Sequence, residues 1–490
     1  MPFVLRRHAF PFATALLSVT LAACTVAPPP PPVAGGDLGR VRLQSLHAEP
    51  GRAVTEEGAS VPAQWWTLFH DASLDALEAK AIRSNLSLKT SLSRVDQSRA
   101  QLGLSDARLA PQLGLGGGYT RSAISANAPT AMLGAPTYGF DLWNVGLQAS
   151  WEIDLWGYLK QLKAAALADM EAEQFAHDAA QVALTAEVAQ RYVQLRGIEA
   201  QQLIAQRQLA LTHESLHLAQ RRQEHGIATE AEVAAARADE QLQVARTQAL
   251  SLQHAALLNA LSLLLAEPPQ QLSVNLNAQA GQVPLAPHLP VGLPSELARR
   301  RPDILQAEAH LRAATANVGA AQADFYPRIS LNGSFAMVAF HGSDLGNWDS
   351  REYAVGPTLY LPIFDGGRLK RTLALSEAAQ QQAAIHYQQT VLQAWHEIDD
   401  ALDAVSIESA RKATLQEAAH AREQGLHAAQ RQLAEGAVDR QVPMQSEQQW
   451  LGTLAMARDN EAANALAVIH LYRALGGGWM APEAHAEAQP

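Results

Sequence analysis

Between Gly157 and Gly226 the chain runs for roughly 68 residues without a proline, which as a helix rising 1.5 Å per residue would reach about 100 Å. A common globular domain has no room for such a rod. Ala165, Ala168, Ala172, Phe175, Ala179, Val182, Ala186, Ala189, Val193, Arg196, Ala200 and Leu203 recur at alternating steps of three and four. This is a heptad seam with Arg196 as its only polar member. Because the seam is mostly alanine, neighbouring helices can approach closely, and several such helices can wrap a curved wall.

A second rod of the same length is predicted from Arg368 to Glu435. Each rod follows a strand-like stretch and a glycine, and each ends at a glycine turn. Gly157 and Gly367 are 210 residues apart, and so are Gly226 and Gly436. The chain is therefore an internal duplication, and two copies of one unit account for its 490 residues better than unrelated domains. A net charge of −11 argues against a surface for nucleic-acid phosphates, so no nucleic-acid partner is expected.

Arg6, Arg7 and His8 precede an apolar run from Ala9 to Ala23, which reads as a secretory signal over residues 1–23. It ends Leu21-Ala22-Ala23-Cys24 and resembles a bacterial lipobox, which implies that Cys24, the only cysteine, is lipidated. Thr25 in place of aspartate then favours the outer membrane. Five prolines, Pro28 to Pro32, and Gly35-Gly36 make residues 24–60 an anchor with a stiff tether and a joint.

A helical pattern from Leu74 to Leu109 stops at Pro111. Beyond it Leu113, Leu115 and Tyr119 alternate, and after a glycine- and serine-rich loop so do Trp143, Val145, Leu147, Ala149, Trp151 and Ile153. The second copy repeats the plan, with a helix from Ser295 to Phe325, then Ile329 to Met337, then Val355 to Ile363. Four stretches of about ten residues with one apolar face have the length and period of membrane β-strands. Four strands cannot close a barrel, and open edges are not tolerated in lipid, so several chains must share one barrel. Each rod then turns and returns as a shorter helix, Glu230 to Leu265 and Gln445 to Leu475. Residues 61–266 form the first repeat, 267–294 a linker packed against the rods, 295–479 the second repeat and 480–490 a polar tail expected to be disordered.

Several motifs stand in a telling order: Trp65-Trp66 with Phe69 and Asp71; Gly292-Leu293-Pro294-Ser295; Arg300-Arg301-Pro302-Asp303-Ile304 with Ala307-Glu308; Phe325-Tyr326-Pro327; Pro362-Ile363-Phe364-Asp365-Gly366-Gly367; and Ala474-Leu475-Gly476-Gly477-Gly478-Trp479. Here the chain resembles the outer-membrane efflux channels, specifically the lipoprotein branch of the TolC-like family that serves resistance-nodulation-division pumps. The resemblance implies a mainly α fold with a membrane β-barrel. Three chains would contribute four strands each to a twelve-stranded barrel above a coiled-coil α-helical periplasmic tunnel. It also implies a homotrimer in contact with outer-membrane lipid, docked to a periplasmic adaptor protein and through it to an inner-membrane transporter. Small molecules such as drugs or other toxic compounds would pass through passively. No cofactor, catalytic residue or resident metal is expected.

The glycine turns are the first candidate sites. In the family such tips meet the adaptor, which here means Arg222, Gly226, Ile227 and Ala228 on the first and Arg431, Gly436, Ala437 and Val438 on the second. Each glycine would also serve simply as a left-handed helix end. Relatives carry aspartates about six and nine residues past the second glycine. Here Val442 and Gln445 stand there, so Asp439, Gln441, Gln445 and Glu447 are the candidates for a less charged periplasmic gate, with Glu230 and Glu232 adding charge from the first tip. Asp399, Asp400 and Asp403 would form a cation-favouring ring in the lumen or, as the simpler reading, a solvated helix face. His213-Glu214-Ser215-Leu216-His217 matches the H-E-x-x-H pattern of zinc peptidases, with Glu232 as a conceivable third ligand. A long rod offers no enclosed pocket for that chemistry. A lipid-anchored zinc metallopeptidase and a protein-secretion duct of the same fold are the alternatives to an efflux duct.

Overall fold

The computed structural model describes residues 62–479, apart from 136, 270, 277–280, 286 and 288–300. Cys24 with its lipobox, the proline tether, Gly292 to Arg300 and the polar tail lie outside the described residues.

The elements follow the duplication. A 3-10 turn, Trp65–Phe69, leads into helix α1 (Ala72–Ser84) and then α2 (Leu86–Ala107). Strand β1 (Gln112–Ser122), a single helical turn α3 (Pro129–Met132) and strand β2 (Phe140–Ile153) precede the first rod, α4 (Tyr158–Glu224), and its return, α5 (Glu230–Leu264). The second copy runs α6 (Pro302–Ala323), β3 (Arg328–Ala339), β4 (Arg351–Tyr360), α7 (Arg368–Ala434) and α8 (Gln441–Ala474). Both rods are 67 residues long. Each opens on an aspartate that accepts from first-turn amides: Asp154 from Leu159 and Lys160, and Asp365 from Gly367 and Leu369. Those caps were not read from the sequence.

Four details differ from the sequence reading. The helix expected over Leu74 to Leu109 is two helices, because Asn85 leaves helical geometry, caps α2 by accepting from Leu88 at 2.9 Å and donates to the Leu264 carbonyl at 2.9 Å. Strand β4 stops at Tyr360 rather than Ile363: Pro362 has no amide to give a ladder, and Ile363 is 95% exposed. Helix α8 begins at Gln441, four residues before the expected Gln445, with Pro443 tolerated in its first turn. The α4 seam is buried or half-buried from Ala165 to Ala200, but Leu203 is 59% exposed while Ile204 and Ala205 are buried. A straight α-helix drifts about 20° per heptad from a 3.5 repeat, so over five heptads the buried line moves by about one residue position.

The chain divides into two compact units, each drawing on both copies. The first comprises 95–172 and 307–387 among the described residues and holds a four-stranded antiparallel sheet in the order β1-β2-β3-β4. Its register places Leu115 opposite Leu147, Leu147 opposite Phe335, and Phe335 opposite Tyr353. Gly146 lies against Ala336, where an added Cβ would sit 2.5 Å from the Ala336 methyl and 2.7 Å from backbone. Only glycine lets these strands approach so closely.

The second unit, 62–94, 173–306 and 388–479 among the described residues, holds the main core. Trp65 is fully buried and stacks on Tyr472 at 5.2 Å. Asp71 caps α1 by accepting from Ser73 and Leu74, and also accepts from the Tyr192 hydroxyl at 2.7 Å. Burial, then the Asp71 bond, pushes the Tyr192 phenol up to about 12. Arg196, the polar member of the seam, is buried beneath the linker, where it pairs with Glu199 at 2.8 Å and donates to the Leu276 carbonyl at 2.7 Å. Arg301 donates to the Ala474 carbonyl at 2.9 Å and pairs with Asp303 and Glu397. The Arg301-Pro302-Asp303 motif thus meets the Ala474-to-Trp479 motif in space.

Candidate channel strands and docking tips

In the single chain one face of the sheet is apolar and open to solvent. Leu113, Leu115, Val145, Leu147, Leu331, Phe335, Tyr353, Val355 and Leu359 line it, and all are exposed. The other face is polar, with Ser150 donating to Asn332 at 2.9 Å and Asn332 to Thr358 at 3.0 Å. Aromatic residues gather at both ends of the strands. At one end Tyr119 meets Trp143 at 4.5 Å and Phe140 meets Phe340 at 5.7 Å; at the other Trp156 stacks on Tyr326 at 5.0 Å. At that second end the Trp151 and Trp156 indoles donate to the carbonyls of Leu109 and Pro327. An apolar band between two aromatic girdles, with a polar reverse face, is the signature of a barrel wall in lipid. Strands β1 and β4 each keep one unpaired edge.

At the first tip Gly226 takes a left-handed backbone (φ 72°), and the Ile227 and Ala228 amides donate back to the Arg222 carbonyl at 2.7 and 3.2 Å. This six-residue loop closure is the usual glycine-ended helix stop. Gly436 (φ 74°) repeats it, with the Ala437 amide donating to Gln432 at 2.9 Å. Thr229 and Glu232 form a reciprocal capping box at the start of α5. The duplicated positions are Asp439 and Val442, so no such box forms at the second tip, where the Asp439 carboxylate accepts from the Gln441 amide at 3.0 Å. Ile227 is 67% exposed, and Gly226, Arg431, Gly436 and Ala437 are exposed, while Arg222, Ala228 and Val438 are half-buried.

The candidate gate residues divide in two. Asp439, Gln441 and Gln445 are exposed, whereas Glu447 is drawn against α4 by Arg207 at 2.6 Å. Arg440 similarly reaches Glu214 of α4 at 2.9 Å. Deeper, the Gln201 amide donates to the Ala455 carbonyl at 2.8 Å and the Asp459 carboxylate at 2.7 Å, and burial still pushes the Asp459 carboxyl up. These ties between α4 and α8 join residues up to 258 positions apart and carry no local sequence signal. Asp399 and Asp403 are half-buried on α7 and Asp400 is exposed.

The H-E-x-x-H residues do not converge as a peptidase site. Glu214, the residue that would activate water, is engaged by Arg440, His213 is held by Glu240 at 2.7 Å, and Glu232 serves the capping box. Among the described residues no group of three or more potential ligands is placed to hold a metal.

The family model for the outer membrane efflux protein matches residues 77–267 and 293–477. The chain belongs to the outer membrane efflux protein family. It is 33% identical to the outer membrane protein OprJ of Pseudomonas aeruginosa over 97% of each chain. It is 30% identical to the pyoverdine export outer membrane protein OpmQ of Pseudomonas putida, over 95% of this chain and 97% of that one. Among solved structures it matches the outer-membrane channel OprN with a TM-score of 0.79 at 28% identity, over 90% of this chain and 98% of the other. The protein is thus an outer-membrane efflux channel of the kind used by tripartite pumps, mainly helical with a small β domain and extending into the periplasm. Channels of this family are trimers that work with an adaptor and an inner-membrane pump.

Proposed function

We propose that this chain is a passive exit duct for small molecules, closed at its periplasmic end by the two hairpin tips and opened when an adaptor docks there. The observation that carries the reading is the sheet, whose apolar face is bare, whose girdles are aromatic and whose two edges are unpaired. Three copies joined edge to edge give twelve strands and leave no open edge in lipid. The energy for transport belongs to the inner-membrane resistance-nodulation-division transporter, and this chain supplies a conduit and a gate.

In this reading Arg222, Gly226, Ile227 and Ala228, with Arg431, Gly436, Ala437 and Val438, form the adaptor surface. Their support is their placement on stiff helix ends that present short exposed loops. Asp439, Gln441, Gln445 and Glu447 line the mouth, and Asp399, Asp400 and Asp403 give the lumen acidic character. Cys24 carries the lipid that anchors the protein in the outer membrane. A small-molecule cargo, rather than a secreted protein, is favoured by likeness to a pyoverdine exporter. Dye accumulation in cells lacking this chain tests the cargo class. Accumulation should rise on deletion and be restored by the full chain, and unchanged accumulation with loss of a secreted protein would reverse the assignment.

A further inference from the structure

The histidines of the H-E-x-x-H stretch make no peptidase, yet their own geometry is unusual. His213 and His217 lie one turn apart on α4, both exposed, with their Nε2 atoms 3.0 Å apart and their rings nearly perpendicular at 87°. We propose that this pair binds a divalent transition-metal ion of the Cu(II) or Ni(II) type, near the first tip.

The distances carry the argument. Imidazole nitrogens bind such ions at about 2.0–2.1 Å, so two of them 3.0 Å apart subtend about 95° at one ion. That is the cis angle of square-planar and octahedral coordination, the geometries of Cu(II) and Ni(II). A tetrahedral ion such as zinc needs about 109°, which at the same bond length requires the nitrogens to part by a few tenths of an ångström.

Orientation is supplied from the neighbouring helix. Glu240 of α5, with its side chain only 16% exposed, lies 2.7 Å from His213 Nδ1. A carboxylate there accepts the Nδ1 proton, fixes the ring and leaves Nε2 with a free lone pair, the arrangement that supports metal-ligating histidines. Without an ion, His217 Nε2 donates its proton to that lone pair. On binding, His217 carries its proton on Nδ1 instead, transferred through water, and both Nε2 atoms face the ion. Glu214, the nearest carboxylate in sequence, is withdrawn by Arg440, so water fills the other positions. An ion so held would stiffen α4 beside α5 close to the docking loop.

The test uses the full-length chain without a histidine tag, purified in detergent, stripped with chelator and titrated calorimetrically with copper(II) sulfate and nickel(II) chloride. One ion per chain should bind. His213→Ala and His217→Ala should each weaken binding at least tenfold, and Glu240→Gln should weaken it by about tenfold or more. His420→Ala, on the exposed face of α7, should leave binding unchanged. The copper(II) paramagnetic resonance spectrum should show splitting from two imidazole nitrogens, lost in either alanine variant. No binding by wild type, or binding unchanged in His217→Ala or Glu240→Gln at intact trimer mass, would overturn the assignment.

Discussion

Cutting the ties between α4 and α8 should loosen the periplasmic mouth. The exposed pair Glu214–Arg440 has side chains 44% and 51% accessible, and such pairs contribute about 0.2–1 kcal/mol. The Arg207–Glu447 pair differs because the Glu447 side chain is only 12% accessible. Removing Arg207 leaves a largely buried carboxylate without its cation, at a cost of about 1–3 kcal/mol. If the tip switches between two packings of these helices, losing both ties moves the balance by about 1.2–4 kcal/mol, or roughly eightfold to nearly a thousandfold. Single-channel recording on Arg440→Ala, Arg207→Ala and the double variant should show open probability rising in that order, from the smallest cost to the largest. The exchanged pair Arg207→Glu with Glu447→Arg should recover much of the closed time. High salt should mimic Arg440→Ala more than Arg207→Ala, since screening acts first on exposed charges. Closed times that match wild type in the double variant would refute these ties as gate contacts. So would an exchanged pair that behaves like the two single losses added together.

Three further outcomes are expected. Gly146→Val should block the approach of β2 to β3, because a Cβ there falls 2.5 Å from Ala336, and heat-resistant trimer on gels should disappear while helical circular dichroism persists. Tyr192 has a phenol raised to about 12, so its contribution to stability is complete below pH 10 and is lost as the pH climbs from 10 through 12; Tyr192→Phe should show a shallower alkaline fall in melting temperature. Gly226→Ala and Gly436→Ala place a Cβ in a left-handed position with no atom within 4 Å, so each should cost about 1–2 kcal/mol locally and weaken adaptor capture with little change in the global melting temperature.

Much of the fold was legible because it is periodic. The rods announced themselves through an unbroken three-four repeat, the strands through alternation, and the duplication through glycines at a fixed offset. The heptad failed only at Leu203, where a straight helix outran a 3.5 repeat. Boundaries slipped beside polar side chains. Asn85 splits a helix that its neighbours would have continued, and α8 starts four residues early, where the Asp439 carboxylate accepts from the Gln441 amide. The site was legible only in part. Left-handed glycines mark the tips from sequence alone, because few other residues accept that backbone. The links Arg207 to Glu447, Arg440 to Glu214 and Tyr192 to Asp71 join distant positions, and nothing in the local pattern of either partner names the other. The H-E-x-x-H motif shows the converse: a strong local pattern whose glutamate is claimed by an arginine 226 residues away.

If three chains share one barrel, conductance belongs to the trimer and not to the single chain. Recording the purified full-length protein in a planar lipid bilayer, alongside its native mass in detergent, tests this most directly. Particles of three-chain mass should give uniform current steps, and chains kept monomeric should give none. Folded three-chain particles that insert without conducting, or monomers that conduct by themselves, would contradict it.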